Sequence, residues 1–391
     1  MIKSFFLSAS KLALAGIVSS SILFLATPFI TRIYPPSIYG EFALFQSIAG
    51  IFVLFASMRF SNAIPVEASI EGKDKLFGLA SVINFFLNNL FILTSLILFL
   101  ILGLSPFILI GIVLTFTIWN ATFINLSIAN KQFDLIAFQK ISQSIILVIG
   151  QIFFSYFGVW GLFIGHLLSH FFVSILYFYN FRKYFRKNIF SLNEAKNTAV
   201  KFRDFPFHSL PAAIVNNIGR QSPIILLYFL FSPEESALYS LTFMVLATPL
   251  GLISENITKV ILSRLNDLKA SSSLNQGMSQ IFEFLVLISM PIFLILTFYS
   301  FEVFGLFFGE KWIQSGLYAQ ILAPMLGLFF CISPFSALLQ LERKLHIENI
   351  FQLALLSVRL MSIFVGFYYN SIVLVLVLLS STSIFLSLIH I

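Results

Sequence analysis

RIYPPSIYGEFALFQSIAGIFVLFASMRFSNAIP, residues 32–65, is the stretch that decides how this chain folds. It closes one long apolar run, turns through Pro35-Pro36 and Tyr39-Gly40, and opens another. One cation, Arg32, stands at the turn, and a second, Arg59, stands inside the following apolar run. Two such runs joined by so short a turn have no place in a water-soluble domain. They read as a pair of membrane-spanning helices.

The rest of the chain repeats the pattern. Of 391 residues, 59% are hydrophobic and 10% are charged, where soluble domains carry roughly 25% charged residues. Backbone polar groups inside lipid must be paired within the protein, which leaves helices or a closed barrel. The apolar runs are continuous rather than alternating, so the fold class is an all-α integral membrane protein. Twelve spans are predicted, at about 9–31, 41–65, 77–102, 106–129, 138–157, 159–180, 206–230, 237–258, 279–300, 313–340, 347–367 and 370–389. The first exceeds a signal peptide's apolar core and is read as a retained span. The single Cys331 lies in an apolar run and fixes no redox compartment.

The polar segment 181–204 carries Arg182, Lys183, Arg186, Lys187, Lys196, Lys201 and Arg203. It divides the chain into an N-terminal half, 1–180, and a C-terminal half, 205–391, of six spans each. With the N-terminus inside, only Arg32 and Lys311 of the 23 Lys and Arg fall in outer loops, and Arg59, Arg220 and Arg359 fall within spans. All others are then cytoplasmic, as the positive-inside rule requires. This rule and anionic lipid account for the net charge of +7, so no nucleic-acid partner is implied. A shift of 197 residues lays Pro36 on Pro233, Leu44 on Leu241 and Ile64 on Ile261. The two halves are therefore candidate repeats of like orientation.

The intramembrane arginines are the candidate binding residues. Arg220 lies roughly 20 Å along span 7 and Arg359 near the middle of span 11. A charge there costs about 3 kcal/mol and normally faces a bundle interior or an aqueous cavity. Arginine also suits planar, bidentate phosphate recognition. The functional reading is a cationic cavity for an anionic substrate; the structural one is a guanidinium bonded to helix-end carbonyls, Asn216, Asn217 or a neighbouring acid. Arg59, near the inner end of span 2, either lines that cavity or snorkels to the interface. Arg32 complements a helix C-terminus, and Glu41 a helix N-terminus. His166 and His170, at i, i+4 spacing, lack a third metal ligand and read as a packed polar face near the inner end of span 6. Asn84, Asn88 and Asn89 read as inter-helix hydrogen-bonding residues. Pro28, Pro211, Pro223, Pro249, Pro291, Pro324 and Pro334 are candidate kinks. No nucleotide-binding loop or HExxH motif occurs, and no cofactor is implied.

The quoted stretch resembles bacterial oligosaccharide flippases, the Wzx-type polysaccharide biosynthesis proteins of the multidrug/oligosaccharidyl-lipid/polysaccharide exporter superfamily. The residues that carry the resemblance are Arg32-Ile33-Tyr34, Pro36, Gly40, Phe42-Ala43-Leu44-Phe45, Arg59-Phe60 and Ala63-Ile64. Phe205-Pro206, Pro249, Phe308-Gly309-Glu310-Lys311-Trp312, Gly316, Leu322-Ala323-Pro324 and Pro334 extend it along nearly the whole chain. The family often places an acid after the Arg-aromatic pair, where this chain has Ser61-Asn62.

The resemblance implies two six-helix bundles in a V, a cationic central cavity and alternating access. The implied cargo is a polyprenyl-pyrophosphate-linked oligosaccharide, moved from the inner to the outer leaflet of the inner membrane for O-antigen- or capsule-like polysaccharide. The candidate protein partners are a polysaccharide polymerase and chain-length proteins. A multidrug or peptidoglycan-precursor exporter of the same superfamily is the rival reading. A membrane-embedded sugar polymerase would need an outer catalytic loop that the sequence lacks.

Overall fold

The computed structural model describes residues 2–103, 105–187, 192–248, 251, 274–332 and 345–390. These are almost wholly helical, and no strand occurs among them. Among the described residues, nine helices are long and apolar enough to cross a membrane. Helices also stand at the three other predicted places: Leu210–Leu230, 233–248 and Ile372–His390. The first of these is made more polar by Asn216, Asn217, Arg220 and Gln221. Pro249, Pro334, Ile261 and the predicted ends of spans 8 and 10 lie outside the described residues.

Packing divides the chain into two units, Met1–Tyr34 with Leu44–Asn217, and Pro35–Ala43 with Ile218–Ile391. The predicted division ran through the basic segment 181–204. The packing instead assigns residues 205–217 to the first unit and the short piece 35–43 to the second.

The first unit holds helices α1 (Ile2–Ile33), most of α2 (Pro36–Phe52), α3 (Ile70–Leu102), α4 (Ile110–Ala129), α5 (Phe133–Phe153), α6 (Val159–Lys187) and α7 (Leu192–Lys201). Its core contains Phe77, Phe123, Tyr177 and Phe181, with Phe123 stacked on Phe181 at 5.7 Å and on Tyr177 at 5.6 Å. Helices α5 and α6 approach backbone to backbone: a Cβ on Gly150 would stand 2.8 Å from the Gly165 Cα. Small residues at such crossings let spans pack where lipid supplies no hydrophobic drive. The basic segment is largely helical rather than a loop, since α6 continues to Lys187 and α7 follows. At its far end Lys201 bonds Glu67 at 2.8 Å, and Lys75 bonds Glu71 at 2.7 Å.

The second unit holds the first turns of α2, most of α8 (Leu210–Leu230), α9 (233–248), α10 (Leu274–Phe298), α11 (Ser300–Phe308), α12 (Ile313–Ile332), α13 (Leu345–Tyr368) and α14 (Ile372–His390). Pro36 and Pro233, aligned by the 197-residue shift, each open a helix at its first position, where a missing N–H costs nothing. A Cβ on Gly40 would collide with the Pro233 carbonyl. Tyr39 meets the fully buried Trp312 edge-on at 5.3 Å. Tyr39 and Gly40 of the opening stretch therefore pack in this unit, whereas Phe45 packs on Phe163 in the first. Outward, Leu287 and Leu306 remain 73% and 71% exposed. A surface of such side chains has lipid as its solvent.

Candidate functional site

The second span is not one continuous helix, contrary to the sequence expectation. α2 ends at Phe52, and Val53–Ala63 follows as tight 3₁₀-type turns. Within it Ala56 is extended, and Ser57, Met58 and Arg59 adopt φ of 49°, 48° and 64°. Left-handed backbone costs a non-glycine residue about 1–2 kcal/mol, so three in succession need outside support. The fully buried Asn84 of α3 supplies it: its Oδ1 accepts from the Ser57 N–H at 2.7 Å. Its Nδ2 donates to Thr122 Oγ1 of α4 at 2.9 Å. Ser57 Oγ accepts from the Ser61 N–H at 3.0 Å, and Asn125 Nδ2 donates to Asn62 Oδ1 at 3.1 Å. Irregular backbone in a span survives only where protein or an aqueous cavity satisfies it, and here the Asn84 and Ser57 side chains do so for the Ser57 and Ser61 N–H groups. The break delivers Arg59, half-buried, with its Nε buried and lacking a hydrogen-bond partner.

In the second unit, Arg359 of α13 is half-buried, and its Nη1 donates to the Gly219 carbonyl of α8 at 2.7 Å. That carbonyl is special. The residue four positions on, which should donate to it, is Pro223, and proline has no N–H. Arg359 thus fills the gap left by the proline, at a mid-helix carbonyl rather than at the helix-end carbonyls weighed from sequence. Arg220, next along α8, is exposed. The structure brings Arg220 and Arg359 to one helix crossing and places Arg59 in the other unit.

The remaining candidates take structural positions. Arg32 occupies the last turn of α1. Glu41 falls in the second turn of α2, because that helix starts at Pro36. His166 and His170 are nearer Val159 than Lys187, not at the end of α6 that bears the cations. Their rings lie 4.7 Å apart, and His170 Nδ1 is 3.3 Å from both Thr117 Oγ1 and Gln143 Nε2. Pro28, Pro223, Pro291 and Pro324 lie inside helices, whereas Pro211 is the second residue of α8, directly after the wider π-type turn Phe205–Ser209. Outside the spans, the Lys201 hydrogen bond and two from Ser69 hold the Glu67 carboxyl down at about 2. Sequence reasoning missed Thr122 and Asn125, which a count of polar residues on α4 would have found. It also missed the Gly219–Pro223 spacing, which was there to be read.

A multi-pass helical bundle with arginines in its spans, a broken second span and a proline inside α8 fits a membrane transporter fold, and comparison with solved structures agrees. The chain is similar to a lipid II flippase, MurJ, in an inward closed conformation, at 17% identity and TM-score 0.74 over 98% of this chain and 86% of that one. It is similar to an inward-facing multidrug resistance MATE transporter of the MOP superfamily, at 13% identity and TM-score 0.69 over 97% and 92%. A Vibrio cholerae MATE transporter matches at 14% and 0.61 over 99% and 94%. The family model of polysaccharide biosynthesis proteins matches residues 29–316, and the chain belongs to that family. The family relationship carried by the quoted motifs is thereby established. No curated protein matches the chain.

Proposed function

We propose that this protein is a flippase for polyprenyl-pyrophosphate-linked oligosaccharide repeat units, working by alternating access across the bacterial inner membrane with both termini cytoplasmic. The observation that carries the reading is the buried, unpartnered Nε of Arg59, presented by a strained break in a span of a polysaccharide-biosynthesis family member. An orphan guanidinium donor at membrane depth calls for an acceptor, and a pyrophosphate has several. In the second unit, Arg220, exposed in the middle of α8, is taken separately as a residue for contact with an anionic substrate. Arg359 takes part through Gly219. Nothing in the chain hydrolyses ATP, so net flux follows an ion gradient or downstream consumption, and the protein is a transporter rather than an enzyme.

The test is deletion in the native host with mass analysis of lipid-linked sugars. Accumulation of complete, unexported repeat units is expected, and normal surface glycan would sink the proposal. The likeness to a lipid II flippase favours a second reading as a peptidoglycan-precursor exporter. In that case the deletion strain accumulates the precursor instead. At matched protein levels, Arg59→Ala and Arg220→Ala should each cut export by about tenfold or more.

A further inference from the structure

We infer that Asn84 is a positioning residue for Arg59: its amide holds the left-handed turn 57–59 that aims the guanidinium. The inference rests on the flippase reading only in taking Arg59 as the pyrophosphate ligand. Its geometry is closed at both ends. Thr122 Oγ1 spends its proton on the Ile118 carbonyl at 3.1 Å, so it can only accept from Asn84. That fixes Asn84 Nδ2 toward Thr122 and leaves Oδ1 for the Ser57 N–H. Ser57, Asn84 and Thr122 are all fully buried, so water cannot stand in for any of them.

Without the Asn84 acceptor, the Ser57 N–H has one good alternative, the Val53 carbonyl four residues back. Taking it winds the turn into ordinary helix and changes the direction of Arg59. Residues 57–59 include no glycine, and side-chain-bearing residues leave the left-handed region when released; apart from Asn84, the turn has the local Ser57–Ser61 bond. The motif cation and an asparagine 25 residues later therefore act as one device.

This role makes a prediction that a packing role does not. Glycine adopts the left-handed region without steric penalty, so Met58→Gly should ease the turn at one of its three left-handed positions when Asn84 is gone. Purified protein in detergent is assayed for thermal stabilisation by inorganic pyrophosphate, alongside surface glycan in cells at matched protein level. We expect wild type to be stabilised by pyrophosphate and Arg59→Ala not to be. Asn84→Ala should weaken apparent pyrophosphate affinity and export about ten- to a hundredfold. Asn84→Ala with Met58→Gly should recover part of both, measured against Asn84→Ala alone. If Asn84→Ala responds like wild type, or if Met58→Gly deepens its loss as cavity and glycine penalties add, the inference is overturned. A wild type that shows no pyrophosphate response also overturns it. Normal surface glycan in the deletion strain defeats the flippase reading alone, because the pyrophosphate comparison is made on purified protein.

Discussion

Arg359 and Pro223 form a pair that a double substitution can take apart. Removing the guanidinium leaves the Gly219 carbonyl without a donor, a loss of about 1–3 kcal/mol. Arg359→Met should therefore lower the melting temperature of the purified protein. Pro223→Ala restores the missing N–H, so Pro223→Ala with Arg359→Met should regain most of that stability. If it also regains export, Arg359 serves the helix; a double variant that is stable but inactive would make Arg359 a substrate ligand. Glu67 gives a second test at this scale, outside the spans. Its carboxyl titrates at about 2 in the fold against an ordinary 4.5, so the folded state binds fewer protons between those values. The stabilisation is complete above the ordinary value and fades as pH falls toward 2. Thermal melts of wild type should lose stability through that window, and Lys201→Met should lose less across it.

At the scale of elements, glycines set the helix crossings. Gly150→Ala places a methyl 2.8 Å from the Gly165 backbone, and overpacking of this kind costs about 1–3 kcal/mol. Gly40→Ala meets the Pro233 carbonyl more closely still. We expect Gly40→Ala to be the more damaging, measured as folded protein recovered by size-exclusion chromatography. Helix positions were readable from apolar run length, because lipid leaves the chain few other options. The break in the second span was not. No proline or glycine marks residues 53–63; the causes are Asn84 and Thr122, which lie in other helices and enter only through tertiary packing. That Arg59, Arg220 and Arg359 fall within helical segments could be read in the same way as the spans. Their partners could not, apart from Gly219, whose need follows from a proline four residues on.

At the scale of the whole molecule, the cation pattern makes a claim about topology that fusion reporters can check. Alkaline phosphatase should be active when fused in the 309–312 turn, and a fluorescent protein bright when fused in the 192–201 helix. The reverse pattern would overturn the assigned orientation. The family match and the fold likenesses hold irrespective of that result, since neither depends on which side is cytoplasmic.

The short piece Pro35–Ala43 belongs to the unit whose other residues begin at Ile218. This has a consequence for biogenesis. Gly40 leaves the ribosome 193 residues before Pro233, the residue it packs against. At about 5–20 residues per second of synthesis, that is a wait of roughly 10–40 s. Throughout it, the first turns of α2 stand in the membrane with Tyr39, Gly40 and Glu41 unmet by their partners. Nascent chains stalled before residue 233 should therefore be the forms that insertion chaperones hold and membrane proteases cut.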